Sequence, residues 1–445
     1  MKTKQLTILF LGLYTQICFS QTTVLSLNDA IQFTLVKNYD IQIDQLSLEN
    51  AEQNNTWGNA GRYPDIQLQL GGSNQYQYNN PASPFALGGF TNNAVFNSGI
   101  SGQWILFNGF NVSLKKDQLS SQVKQSEWEL LATMENQVEA LIQAYYLAQF
   151  EKEKLKTIQE ILQSSKEKWK LSKLQNKLGA GSKFEMIRDE TNFYTDSTRY
   201  IDQKVQWKTA IQDLNYYMNN DNIHTTYDLK DKLNVPSPML NFEDLLDEML
   251  KNNSNIKRQL VISQLRENQI QQQRNTKVPT LTADISFTSN TNRFTADMPQ
   301  VDGGFQKETN IGYNYGPSAG VTLRVPIFSG GKNNRLIQTA IIQKEVADTE
   351  SKKTLLFLKN KFTKLFMEYH NSIEKVKLST KSLEAAKLNL NLSRQQMDSG
   401  MISSFEFRQI QNSYLESSIR LLNNQYFLII NRVALLKISG KLVKL

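Results

Sequence analysis

Residues 111–178 carry a helical pattern with no proline, and residues 332–398 carry another. At 1.5 Å per residue each would run about 100 Å, whereas globular helices average roughly 10–14 residues. No globular core encloses a rod of that length, so these helices must pack along neighbours in an extended bundle. The apolar positions fit such packing. Leu119, Val123, Leu130, Met134, Leu141 and Tyr145 step by 4, 7, 4, 7 and 4 residues. That eleven-residue period suits nearly straight packed helices rather than a tight left-handed supercoil. Phe184, Ile187, Tyr194, Ile201 and Val205 run closer to heptads.

Each long pattern is broken in a similar way, by KLGAGSKFE at 177–185 and by DSGMISSFEF at 398–407. Glycine costs a helix interior about 1 kcal/mol relative to alanine, so Gly179, Gly181 and Gly400 read as turns after which helix resumes. The likeness belongs to a duplication. LSLNDAIQFTLVKNYDIQI (25–43) resembles LNFEDLLDEMLKNNSNIKR (240–258), at an offset of 215 that carries Asn38 onto Asn253 and Pro64 onto Pro279. From WILFNGF (104–110) and VPIFSGG (325–331) onward the offset is 221, carrying Gly179 onto Gly400, Ser182 onto Ser403 and Glu185 onto Glu406. The chain is therefore expected to divide into a leader (1–20), a first repeat (21–220), a connector (221–240) and a second repeat (241–445). Each repeat orders a helix (28–58; 242–275), two strands (64–78 and 94–107; 279–290 and 317–328), the long helix, a turn and a final helix (183–219; 404–439). All nine prolines fall at strand edges, in loops or in the connector, as their missing N–H and ring clash require.

The strand segments alternate. Ile66, Leu68, Leu70, Tyr76 and Tyr78 share one face, and Gln67, Gln69, Gln75 and Gln77 the other. Phe96, Ile100, Trp104 and Leu106 share a face in the next. Leu281, Ala283, Ile285 and Phe287 oppose Thr282, Asp284 and Ser286; Ala319, Val321, Leu323, Val325 and Ile327 oppose Thr322 and Arg324. This is the pattern of an outer-membrane barrel, and equally that of a half-buried soluble sheet. The amino terminus weighs on the choice. Lys2 and Lys4 precede the apolar run LTILFLGLYTQICF, and CFS precedes Gln21, the layout of a secretory signal with cleavage expected after Ser20. The run is too short to span a membrane, and Ile17 before Cys18 argues against lipidation. Beyond it no run of about 18 apolar residues occurs, so a membrane is crossed only by strands closed into a barrel. Four strands cannot close, and lipid tolerates no open edge. Two chains supply eight strands, whose interior side chains fill. Three chains supply twelve and leave an aqueous lumen, so a conduit favours a trimer or a larger ring.

Composition excludes other classes. The net charge of +8 is spread over 50 basic and 42 acidic residues, with no basic tract for nucleic acid. Cys18 is the only cysteine, so a mature chain would have no disulfide or thiol chemistry, and His224 and His370 stand apart. No metal cluster, catalytic set or cofactor motif is expected.

Together these features resemble one family, the TolC-like outer-membrane efflux proteins. The resemblance rests on the duplicated plan and on RYPDIQLQLGG and KVPTLTADISF entering the strands, WILFNGF and VPIFSGGK leaving them, and LGAGSKFE and SGMISSFEF at the helical turns. It implies a mixed α+β membrane protein. Three chains would form a homotrimer whose twelve-stranded outer-membrane barrel, four strands per chain, continues into a long α-helical barrel extending into the periplasm. It implies a passive, non-enzymatic duct of a tripartite efflux or type I secretion system. Such a duct is opened by a periplasmic adaptor protein and energised by an inner-membrane pump of RND, ABC or MFS type. In that family a V-G-L-like tripeptide at the tunnel tip receives the adaptor, and the matching positions are Leu178, Gly179, Ala180 and Ser399, Gly400, Met401. Glu185 and Glu406 match an acid of the closed constriction, while the next family acid is replaced by Arg188 and Gln409. The residues themselves allow two readings of these glutamates. Ser182 and Ser403 can cap helices, Ser182 with Glu185 at capping-box spacing, and acids in a first turn favour the helix dipole. In addition, six carboxylates near one axis would form a ring that attracts cations. The alternative function is a periplasmic coiled-coil spacer or adhesin stalk, which leaves the alternating strands without a role.

Overall fold

The computed structural model describes residues 23–80, 89–233, 239–299 and 304–443. The expected leader with its cleavage point, and most of the VPSPML stretch of the connector, lie outside the described residues. Where single helices were expected over 28–58 and 242–275, the structure has two each: α1 (Leu27–Lys37) with α2 (Tyr39–Asn54), and α5 (Phe242–Asn252) with α6 (Ser254–Asn275). One asparagine makes each break. Asn38 and Asn253 leave helical backbone at ψ 127° and 122°. Each Oδ1 then accepts two N–H groups of the following helix, from Asp40 and Ile41 and from Asn255 and Ile256. Asparagine competes with the helix for these bonds, so the apolar pattern runs on through a stop it does not register.

A four-stranded antiparallel sheet follows the order β2-β3-β5-β6, built from β2 (Asp65–Asn79), β3 (Gly89–Phe107), β5 (Thr280–Pro299) and β6 (Phe305–Arg324). The last three begin earlier or end later than the apolar alternation suggested. Stretches such as 91–93 and 288–292 are Thr-, Ser- and Asn-rich and carry no hydrophobic signal, yet the ladder pairs them, Asn93 with Phe294 and Asn97 with Asn290. Pro317 lies inside β6 rather than at its start, which an edge strand tolerates. β6 ends at Arg324, so Val325 and Ile327 fall outside it. A second, parallel ribbon pairs β1 (Thr23–Leu25) with β4 (Tyr227–Leu229); three residues are too few to show a period.

The long helices are α3 (Asn111–Lys177) and α7 (Lys332–Asp398), 67 residues each, followed by α4 (Lys183–Tyr217) and α8 (Ser404–Ile438), 35 each. α3 lies along α2, α4, α6 and α8, and α7 along α6 and α8. The apolar core gathers where α4 and α8 end. Val138, Leu141, Tyr145, Leu214 and Met218 form one cluster, and Met249, Phe362, Tyr369 and Leu435 another. Towards the α3–α4 and α7–α8 turns many buried positions become small or polar: Ser165, Ser172, Asp189, Asp196, Ser379 and Ser393. The heptad stripe Phe184, Ile187, Tyr194, Ile201 and Val205 is exposed on the single chain, and α4 instead buries Asp189, Asp196, Gln203 and Ala210.

Candidate functional site

The two turns at the far ends of the long helices have the same backbone. Gly179 and Gly400 are left-handed, at φ 71° and 74°. Past α3, the Ala180 N–H reaches the Gln175 carbonyl at 2.9 Å and the Gly179 N–H that of Asn176 at 3.2 Å. Past α7, the Met401 N–H reaches Gln396 at 2.8 Å and the Gly400 N–H reaches Met397 at 3.0 Å. This pair of bonds is the Schellman stop, which satisfies carbonyls that a helix end leaves bare. A Cβ on Gly179 or Gly400 would meet nothing within 4 Å, so backbone angle alone calls for glycine there. Gly181 is needed for space: a Cβ would lie 3.0 Å from Gln175 Cβ and 3.1 Å from Asn176 N. The turns present apolar side chains to solvent, with Leu178 73% and Met401 72% exposed.

The helices resume under serine caps, and the two caps differ. Ser403 Oγ accepts from the Glu406 N–H, while Glu406 Oε2 accepts from Ser403 N–H at 2.8 Å and from its hydroxyl at 2.9 Å, completing a capping box. The Ser403 backbone N–H, then its hydroxyl, hold the Glu406 carboxyl below its ordinary value. Ser182 Oγ accepts from Phe184 N–H, and Glu185 leans instead towards Arg188, 3.8 Å away. The box expected from the Ser182–Glu185 spacing thus closes at Ser403–Glu406. Arg188 competes for Glu185, whereas Gln409, at the corresponding place, carries no charge to do so.

Above the turns lies a cluster of buried charges that the sequence reading did not single out. Arg408 on α8 forks onto Asp196 on α4, at 2.6 Å (Nη1 to Oδ2) and 2.7 Å (Nη2 to Oδ1). Asp196 is 1% exposed, and Arg199 Nη1 stands 3.6 Å from its Oδ1. Asp189, likewise buried, is pushed up by desolvation despite the opposing pull of Lys168. Burial lowers Lys168, whose Nζ lies 2.9 Å from Met397 Sδ. Gln411 donates to Ser164 Oγ at 2.9 Å. The cluster joins α3, α4, α7 and α8 where apolar core is sparse. Its signal was available in the seven-residue spacing of Asp189, Asp196 and Gln203, a heptad phase filled with polar residues.

The sheet has two unlike faces. Cross-strand register aligns Leu68 with Ile100, Phe287 and Pro317, and Ile285 with Ala319. The result is one apolar face, which also carries Tyr76, Tyr78, Phe90, Tyr313 and Tyr315. The opposite face is polar. Ser286 and Ser318 hydroxyls meet at 2.7 Å, Gln103 donates to Asp284 at 3.1 Å and Asn290 to Asn97 at 2.7 Å. Within the chain β2 and β6 each have one unpaired edge. No helix among the described residues is long and apolar enough to cross a membrane. Among the same residues no group of three or more His, Cys, Asp and Glu is placed to hold a metal ion.

The model of the outer membrane efflux protein family matches residues 30–220 and 245–441. The chain belongs to the outer membrane efflux protein family. That family consists of channels and transport conduits, and solved outer membrane channels share this chain's fold. The CmeC outer membrane channel of Campylobacter jejuni aligns at TM-score 0.71 and 17% identity, over 94% of this chain and 86% of its own. A membrane protein from Pseudomonas aeruginosa aligns at TM-score 0.74 and 18% identity, over 93% of each chain. The outer membrane protein VceC of Vibrio cholerae gives TM-score 0.71 at 13% identity, over 93% and 96%. No functionally curated protein matches the sequence.

Proposed function

We propose that three copies of this efflux protein close a twelve-stranded barrel in the outer membrane and a helical tunnel below it, forming a passive duct. The observation that carries the reading is the sheet: four strands, apolar on one face and polar on the other, with both outer edges unpaired. Lipid admits such a sheet only when its edges are paired. The exposed stripe on α4 and a second exposed set on α7, including Phe357, Met367, Leu378 and Leu388, supply apolar surface for neighbouring copies. A periplasmic stalk gives the apolar sheet face no partner. The export reading further assigns Leu178, Gly179, Ala180, Ser399, Gly400 and Met401 to docking of a periplasmic adaptor, with an inner-membrane pump as the energy source.

Glu185 and Glu406 are proposed to ring the periplasmic mouth. Glu406 is already held by its cap, which is compatible with a ring because the carboxylate stays ionised and exposed. Purified protein should migrate as a heat-labile trimer and conduct ions in planar bilayers. Glu185→Gln with Glu406→Gln keeps a side chain able to cap but removes the charge, and should lower cation-over-anion selectivity. An unchanged reversal potential would assign both residues to capping alone. A monomer that does not conduct would overturn the duct.

A further inference from the structure

We propose that Met397 is an oxidation site whose sulfoxide clamps α7 to α3 beside the α7–α8 turn, with Lys168 as the donor to the new oxygen. The contact lies within one chain, so the duct reading and this site stand or fall separately. Lys168 Nζ on α3 donates to Met397 Sδ on α7 at 2.9 Å. Along most of their length these two helices pack on shared neighbours, α6 and α8, rather than on each other. Beside the contact a loose, exposed ion pair, Arg394 with Glu167 at 3.9 Å, also joins them.

The donor is strong and the acceptor weak. Lys168 is half-buried, and its Nζ stands 5.6 Å from the Phe407 ring centroid. Desolvation acts most strongly on it and favours the neutral amine; Arg188 adds to this, while Asp189, Glu185 and Asp398 oppose it. A thioether sulfur is a poor acceptor for such a group. The pairing is particular to this place. At the 221-residue offset Asn389 and Asn176 stand for Lys168 and Met397, and each bonds within its own segment, Asn389 to Ser393 and Asn176 to the Gly181 carbonyl. Met397 is half-buried, within reach of a small oxidant, whereas Met249 and Met218 are 0% and 2% exposed. Hypochlorous acid serves as the oxidant. Sulfur loses two electrons to chlorine, which leaves as chloride; sulfur gains one oxygen, and one proton is released. The sulfoxide oxygen is a good acceptor on the same flexible stem, and a charged donor strengthens the bond further. The joint between α3 and α7 therefore tightens, and methionine sulfoxide reductases restore the thioether.

Full-length protein in detergent would be treated with limiting hypochlorous acid in a Met401→Leu background, because Met401 is 72% exposed and also reacts. Peptide mass mapping should find the added oxygen on Met397. Amide exchange over 160–175 and 388–397 should then slow about tenfold, the step from a weak to a good acceptor for a charged donor. Reductase treatment should reverse the slowing. Met397→Gln, which puts an amide oxygen at the same place, should slow exchange without oxidant. Lys168→Met keeps an unbranched apolar body and removes the donor; there oxidation should quicken exchange, as a polar lesion in a packed joint does. Met397 left as a thioether refutes the site. Exchange unchanged or faster when Lys168 is present, or equally slowed in Lys168→Met, refutes the clamp.

Discussion

Arg408→Ala isolates the buried ion pair above the turns. The substitution removes two short charge-assisted hydrogen bonds and leaves Asp196, 1% exposed, with Arg199 at 3.6 Å as the nearest cation. Stripping one partner from a buried pair costs about 3–5 kcal/mol, because the other charge stays desolvated and uncompensated. Arg199 retains part of the compensation, which places the expected cost near the lower end, about 3 kcal/mol, or a factor of roughly 150 in a local opening equilibrium. Removing both charges, as Asp196→Ala with Arg408→Ala, should cost only about 1–2 kcal/mol, since packing is lost while the charge left over, Arg199, has a side chain 41% exposed and turns to water. The pair ties α4 to α8 where apolar core is sparse, so the opening should be local before it is global. Amide exchange followed by mass spectrometry on peptides from 183–200 and 404–415 reads it directly. Protection there should fall about a hundredfold in Arg408→Ala and about tenfold in the double variant, with little change near Tyr145 and Leu214. If the double variant opens as far as Arg408→Ala, or further, the orphan-charge argument fails.

Gly400→Ala should cost about 1–2 kcal/mol through its left-handed backbone alone, because no atom lies within 4 Å of the new Cβ; a melting temperature unchanged by the substitution would contradict the Schellman assignment. Asn253→Ala removes two cap bonds and the buried bond from its Nδ2 to the Ile438 carbonyl at 2.9 Å. About 2–3 kcal/mol should be lost, seen as a lower denaturant midpoint, and Asn253→Asp should recover only the cap part. The Glu406 carboxyl titrates below its ordinary 4.5 because the Ser403 N–H and hydroxyl favour the charged form. A depressed folded value means that its contribution is complete above 4.5 and is lost as pH falls through the lowered value. The first turn of α8 should therefore fray in acid, visible as faster amide exchange at Phe407, and Glu406→Gln should abolish that pH dependence while keeping the cap. Equal acid fraying in the glutamine variant would assign the effect to another group.

Features with a long period were legible in the sequence. The rods expected over 111–178 and 332–398 end within one residue of the observed α3 and α7, because sixty-odd residues without proline leave no competing structure. Single-residue devices were not legible in the same way. Asn38 and Asn253 divide helices through side-chain oxygen bonds that an apolar period does not record. The asymmetry between the two serine caps depends on Arg188, a residue three positions on that competes for one glutamate and has no charged counterpart beside the other.

The heptad stripe of α4 shows a different limit. The spacing of Phe184, Ile187, Tyr194, Ile201 and Val205 marks a packing face, yet they lie open on the single chain while Asp189, Asp196 and Gln203 are buried. Amphipathicity in a sequence marks every surface a helix will cover, including surfaces covered only by another molecule. Burying charge inside while displaying aromatic and aliphatic side chains outside is unfavourable for an isolated chain on both counts. It becomes favourable when the polar side meets partners such as Arg408 within the chain and the apolar side meets a neighbouring copy. The inverted face of α4 is therefore an argument for assembly that is independent of the unpaired strand edges.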